Sequence, residues 1–219
     1  MPVSYPLILD ISSRPVVIVG GGKVAVRKAK GLLAAGAMCV TIVSPDVDQE
    51  MPKGIRLIPE TFRPEHVEGA SLVFAATDVP KVNEEVALEC RRRSIPVNRA
   101  DAEDEASSDF STPALWREGE VMVTVSTGGN AALAARIRDE IAAGLDRRWI
   151  ALAGVLQKVR PLVRARKDLT QCRRAEILRE ISGDLGRDIV ERDGEDGLAR
   201  WIEKRLAAIE SQSSATPRC

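Results

Sequence analysis

Residues 15–22 read PVVIVGGG, a run of β-branched residues that stops on three glycines. No other feature constrains the fold as strongly. Such a run suits a strand buried on both faces of a parallel sheet, and the glycines end it in a tight turn. After the turn, Ala25, Ala29, Leu32 and Leu33 recur at helical spacing and give one apolar face, and Gly36 stands where a left-handed C-cap belongs. A second strand, Cys39 to Val43, ends at Ser44-Pro45-Asp46. The unit is therefore β-α-β, and the fold class it predicts is α/β with a Rossmann-type parallel sheet.

The pattern continues with strands at 55–58 and 72–75, a helix carrying Val82, Val86 and Cys90, and a fifth strand at 95–98. The small, acidic stretch 102–108 reads as a loop. Val121 to Val125 is a further strand, and Leu133, Ile137 and Ile141 mark the helix after it. Beyond Leu145 the pattern is helical. One stripe runs through Trp149, Leu152, Leu156, Val159 and Val163, with Pro161 expected to end or bend it. Two more helices are expected around 169–181 and 198–209, separated by a turn-rich segment at 183–197, and a disordered tail is expected from Ser211. The domains predicted are 1–112 for nucleotide binding, 113–145 for a βα segment and 146–219 for a helical domain.

Lys plus Arg equals Asp plus Glu at 32 each, so no global charge draws the 219-residue chain to nucleic acid or an anionic membrane. Cys39, Cys90, Cys172 and Cys219 lie far apart and form no CxxC pair, which argues against a disulfide framework or structural zinc. His66 is the sole histidine and reads as a surface loop residue, so no metal site is expected. The start of the chain lacks the pattern of a signal peptide, and no stretch approaches the roughly 20 apolar residues of a membrane span. A cytoplasmic protein is expected.

Gly20-x-Gly22-x-x-Ala25 matches the dinucleotide fingerprint: Gly20 for the turn, Gly22 for close approach of a pyrophosphate, Ala25 for tight packing of helix on strand. Peptide N–H groups at the helix start would face the phosphates. The acidic residue that usually holds the adenosine ribose is replaced by Ser44 and Pro45, with Asp46 next. No arginine lies at that strand end to take a 2′-phosphate, which favours NAD over NADP.

Three segments together, VVIVGGGKVAVRKAKGLLAAGA, FAATDVPKVNEEV followed by PVNRAD, and DFSTPALWREGEVMVTVSTGG, resemble the precorrin-2 dehydrogenase/sirohydrochlorin ferrochelatase family, found also as the N-terminal part of bacterial siroheme synthase. The resemblance runs in unbroken order from Pro6 to Ile141. It implies NAD-dependent oxidation of precorrin-2 to sirohydrochlorin, with insertion of ferrous iron in some members. It also implies a homodimer built on the 113–145 segment. The family's functional aspartate falls on Asp101, and its nucleotide contacts fall on Gly22, Lys23, Val24, Ser44, Asp46, Ala76 and Thr77. From the residues alone, Asp101 suits a turn cap as well as a general base. Arg99, Arg136 and Arg138 are candidates for the carboxylates of the tetrapyrrole, since a guanidinium engages both oxygens of a carboxylate. Each also fits an ordinary exposed arginine. Ser126 and Thr127, before Gly128-Gly129, suit either an N-cap or an anion-binding nest.

Two departures from the family pattern stand out. Thr127 and Asn130-Ala131-Ala132 replace a serine and a serine-proline pair, and the loop after Asp101 is longer by about two residues. A rival from another class is a regulatory Rossmann module that senses NAD without turning it over. Such a module needs no base at Asp101. No methyltransferase domain like that of the long siroheme synthases is expected in the chain, and a separate enzyme is expected to supply its substrate.

Overall fold

The computed structural model describes residues 5–100, 108–167 and 169–213. The chain divides into two compact units, Met1–Thr112 and Pro113–Cys219.

The first unit is a five-stranded sheet in which every pairing is parallel, in the order β3-β2-β1-β4-β5. Its elements are β1 (Val16–Val19), α1 (Lys23–Ala34), β2 (Val40–Val43), β3 (Arg56–Ile58), β4 (Leu72–Ala75), α2 (Pro80–Arg92) and β5 (Val97–Arg99). Alternation along the strands divides the interior into two cores. Val16 and Ile18 of β1, Val40 and Ile42 of β2, and Leu72 and Phe74 of β4 pack with Ala25, Ala29 and Leu32 of α1. Val17 and Val19, Val43, and Val73 and Ala75 point the other way and join Val86, Ala87 and Cys90 of α2. All four residues of β1 are buried, which is why the run reads as continuously apolar rather than alternating. Ala25 and Ala29 have no exposed surface, so α1 lies close on the strands. Gly36 carries a φ of 85° just past the end of α1, the left-handed position the sequence reserves for it.

The order reverses between β1 and β4. A doubly wound sheet opens a crevice there, outside the carboxyl ends of the strands.

The second unit begins with an antiparallel hairpin, β6 (Ala114–Glu118) and β7 (Val121–Val125), turned on Gly119-Glu120. Helix α3 (Ala131–Gly144) follows, then α4 (Arg147–Ala165), α5 (Gln171–Ile181) and α6 (Asp184–Ser213). Leu152 and Val159, Ile177 and Ile181, and Leu198 and Ile202 from the last three helices share one core.

The second unit adds to or departs from the sequence reading at several points. β6 shows no clear strand pattern because only Ala114 and Trp116 are half-buried along it. Pro161, expected to end or bend α4, does not end it at once: it sits in the last turns and removes the bond to the Gln157 carbonyl, and the helix stops four residues later. Of the stretch 183–197, residues 184–197 are helical with a break at Gly194 (φ 66°). It is held by Ile189 and Leu198 in the core and by Arg148 to Glu191 at 3.0 Å and Lys158 to Glu195 at 2.6 Å. Of the tail expected to be disordered, residues 211–213 belong to α6. Among the described residues, no helix is long and apolar enough to cross a membrane.

Candidate functional site

The glycine loop lies at the carboxyl end of β1, where β2 and β4 flank it. Gly20 has a φ of 122°, open in practice only to glycine, and a Cβ on it would strike the Ala76 carbonyl oxygen at the end of β4. A Cβ on Gly21 would strike the Asp46 carbonyl oxygen in the loop after β2. Gly22 differs, because nothing lies within 4 Å of the place its Cβ would take. Two glycines therefore seat the loop against its neighbours, and the third faces open space at the start of α1.

That helix start has no side-chain cap, as Gly22 is the N-cap residue. The Gly22 carbonyl accepts from Val26 N–H at 3.0 Å, so the peptide N–H groups of Lys23, Val24 and Ala25 precede the first bond of the ladder. Together with the helix dipole they suit a phosphate or other anion. The open face of Gly22, the uncapped N-terminus and the switch point coincide, and a dinucleotide's pyrophosphate fits this arrangement.

The wall on the β2 side is folded tightly. Ser44 donates its hydroxyl to the Asp46 carbonyl at 2.6 Å, and Asp48 N–H donates to the Gly21 carbonyl at 2.8 Å. The Ser44 proton thus points inward to its own turn. Asp46 is exposed. On the β4 side, Ala76 is buried and its N–H bonds the Val19 carbonyl at 2.8 Å, while Thr77 is held by the side chain of Asn83. The structure brings Gly20, Gly22, Lys23, Val24, Ser44, Asp46, Ala76 and Thr77 to the same end of one sheet.

The end of β5 is tied down as well. Ala100 N–H bonds the Ala75 carbonyl at 2.9 Å, the last rung between β4 and the chain leaving β5. Asp101 follows directly and lies outside the described residues. The chain returns at Ser108, whose hydroxyl accepts from Arg99 N–H at 2.9 Å. Asp109 then pairs with Val97 twice: its N–H reaches the Val97 carbonyl at 2.8 Å, and its carboxylate accepts Val97 N–H at 3.0 Å. Asn98, also buried, donates to the Phe110 carbonyl at 2.8 Å. Phe110 meets Phe74 edge to face with centroids 5.3 Å apart, and Thr112 accepts from Lys28 at 2.7 Å. The strap 108–112 runs along the free edge of β5, so both feet of the Asp101 segment stand together.

The other substrate candidates fall in different places. Arg99 ends β5 in the first unit. Ser126, Thr127 and Arg136 belong to the second, with Arg136 exposed on α3. Neither Ser126 nor Thr127 caps α3. That role belongs to Asn130, whose Oδ1 accepts Leu133 N–H at 2.9 Å, while Thr127 donates its hydroxyl to the Asn130 carbonyl at 2.6 Å. Arg138 donates to the neighbouring Asp139 at 2.9 Å. His66 is not a surface loop residue: its side chain is 6% exposed, and Nδ1 accepts Arg63 N–H at 3.0 Å in the 3₁₀ turn Pro64–Val67. Asn83, Asn130 and Ser108 escape sequence reasoning because single polar residues on loops and helices look solvated. The one available signal is that Asn83 lies three residues before Val86 on the inward stripe of α2.

The NAD_binding_7 model, an NAD(P)-binding family, matches residues 7–114. The siroheme synthase of Methylobacillus flagellatus is 34% identical over 209 residues, covering 93% of this chain and 44% of that protein. That of Methylococcus capsulatus is 35% identical over 216 residues, covering 96% and 45%. The chain thus spans less than half the length of these relatives. Among solved structures, SirC, a precorrin-2 dehydrogenase, superposes with a TM-score of 0.73 at 26% identity, over 92% of this chain and all of SirC.

Proposed function

The chain belongs to the precorrin-2 dehydrogenase family, whose members also form part of the siroheme synthases, and from that premise we propose that it oxidises precorrin-2 to sirohydrochlorin with NAD as hydride acceptor. The observation that supports this most is the glycine loop at the β1–β4 switch point, closed by Gly20 and Gly21 and open at Gly22 over an uncapped helix start.

NAD, when bound, supplies the hydride sink. The chain's part is to hold the dinucleotide and to take a proton. Lys23 and Val24 offer peptide N–H groups to the pyrophosphate. Ser44 and Asp46 line the β2 side, and Ala76 and Thr77 the β4 side. Asp101 is the general base in this reading: its carboxylate removes the ring proton as hydride departs, so two electrons and both hydrogens are accounted for. Arg99, Arg136, Ser126 and Thr127 are proposed to engage the acidic side chains of the tetrapyrrole. A homodimer through residues 113–145 is part of the proposal. No residue of β6 or β7 is buried, and Leu115, Leu133 and Ile141 are each nearly half exposed, as a segment awaiting a partner would be. We place the reaction in the cytoplasm, where the free thiols of Cys39, Cys90 and Cys172 persist.

The test is an anaerobic assay with precorrin-2 and NAD, followed by addition of ferrous iron as substrate. NADH and sirohydrochlorin formation are expected, and Asp101→Ala should remove turnover while retaining NAD affinity. Conversion on addition of iron would extend the activity to ferrochelation. NAD binding without any NADH would overturn the proposal in favour of a sensing module.

A further inference from the structure

We propose that Asn83 is a positioning residue of the nucleotide site, one that holds the β4–α2 loop in the conformation against which the glycine loop closes. The inference rests on the NAD-binding reading above. Asn83 has no exposed surface, and among the described residues it and Asn98 are the polar residues buried backbone and side chain together. A buried carboxamide costs desolvation that an aliphatic side chain filling the same space would not, so its contribution must come from the bonds it makes.

Those bonds converge on one residue. Asn83 Oδ1 accepts Thr77 N–H at 3.0 Å and lies 2.8 Å from the Thr77 hydroxyl, and Nδ2 donates to the Thr77 carbonyl at 2.9 Å. A side chain that engages both the N–H and the C=O of a residue stands in for a neighbouring strand and fixes that residue's backbone. The helix does not need Asn83 for its own start, because Pro80 occupies its first turn and Val79 precedes it without a side-chain cap. The clamp instead reaches back to the loop. From Thr77 the path to the site is one peptide long. Ala76 N–H bonds Val19, and the Ala76 carbonyl meets Gly20 with no room for a methyl group. Any shift of 76–77 therefore displaces the glycine loop, whose geometry sets the N–H groups at Lys23 and Val24.

The experiment measures NAD affinity by calorimetry on the full chain, for wild type, Asn83→Leu and Asn83→Asp, at about pH 8 and about pH 5.5. Asn83→Leu should weaken NAD binding at least about tenfold at both pH values. Asn83→Asp should weaken it at about pH 8, where a carboxylate oxygen in place of Nδ2 meets the Thr77 carbonyl, and recover much of it at about pH 5.5, where a protonated carboxyl regains the missing donor. Wild type should change less than about twofold. A role confined to stability would lower the melting temperature of the variants and leave the affinity of folded protein unaltered. Folded variants binding NAD within about twofold of wild type would overturn the inference. If Asn83→Leu does not fold, the pH response of Asn83→Asp decides alone. Failure of wild type to bind NAD would instead sink the cofactor reading.

Discussion

Gly20 and Gly22 are two residues apart in one loop and answer to opposite constraints. Gly20 needs its positive φ and its missing Cβ to fit against β4, so Gly20→Ala should cost stability, with the melting temperature falling by at least about 5 °C, since backbone strain and collision act together. Gly22 has ordinary backbone angles and empty space in front of it. Gly22→Asp should therefore keep the melting temperature of wild type, aspartate being a good N-cap, while abolishing NAD binding through bulk and charge. Thermal melts and NAD titrations on the same two proteins check both expectations. The motif alone marks these glycines as special, but which one serves the fold and which faces the ligand becomes visible only when Ala76 is seen packed on the first. Lys28 carries a third expectation at this scale. Burial, and then the charge of Arg27, push its ammonium down from 10.5 to about 8. The unfolded chain thus holds that proton more tightly than the folded one, so the stability of wild type relative to Lys28→Met should rise as pH climbs from about 8 toward 10.5, read as paired urea midpoints at pH 7 and about pH 9.5.

Elements differ in how openly the sequence declares them. β1 and α1 are plain because a run of β-branched residues, a glycine turn and a 3.6-residue stripe agree with one another. The hairpin strand β6 is hidden because its Ala-Leu-Trp-Arg-Glu pattern buries nothing completely, and the helical stretch after Gly183 is hidden because charged residues and three glycines (Gly186, Gly194 and Gly197) look like a loop until the ion pairs to α4 are drawn. The start of α3 misleads for another reason: two hydroxyl residues precede it, yet the capping oxygen comes from Asn130. Asn130→Ala should accordingly lower stability by about 1 kcal/mol, a fall in melting temperature of about 2–4 °C, whereas Ser126→Ala should change it by less than about 1 °C.

On the scale of the whole molecule, the first unit carries its own two cores, while the hairpin and α3 of the second leave apolar side chains in water. If residues 113–145 pair with a second copy, a charge placed there should split the assembly. Leu133→Glu is expected to shift the protein from dimer to monomer in sedimentation velocity at micromolar concentration, and an unchanged dimer would remove this segment from the interface. The parallel sheet and the cofactor class were legible in the sequence, because each depends on local pattern, whereas the switch point was not, since it depends on strand order. The anchoring of the segment that bears Asp101 was not, since it depends on Ser108, Asp109 and Asn98 meeting across a loop.

The strap along β5 also bears on how the protein behaves at high concentration. An edge strand with unused N–H and C=O groups invites another chain to add on, the route by which sheets grow into aggregates. Here the strand's own carboxyl-side segment occupies that row: Asp109 answers Val97 in both directions, and Ser108 takes the N–H of Arg99. The five-stranded sheet is thereby finished on that side by a loop that cannot propagate, so the same contacts that hold residues 108–110 beside β5 also protect the chain against edge-to-edge polymerisation.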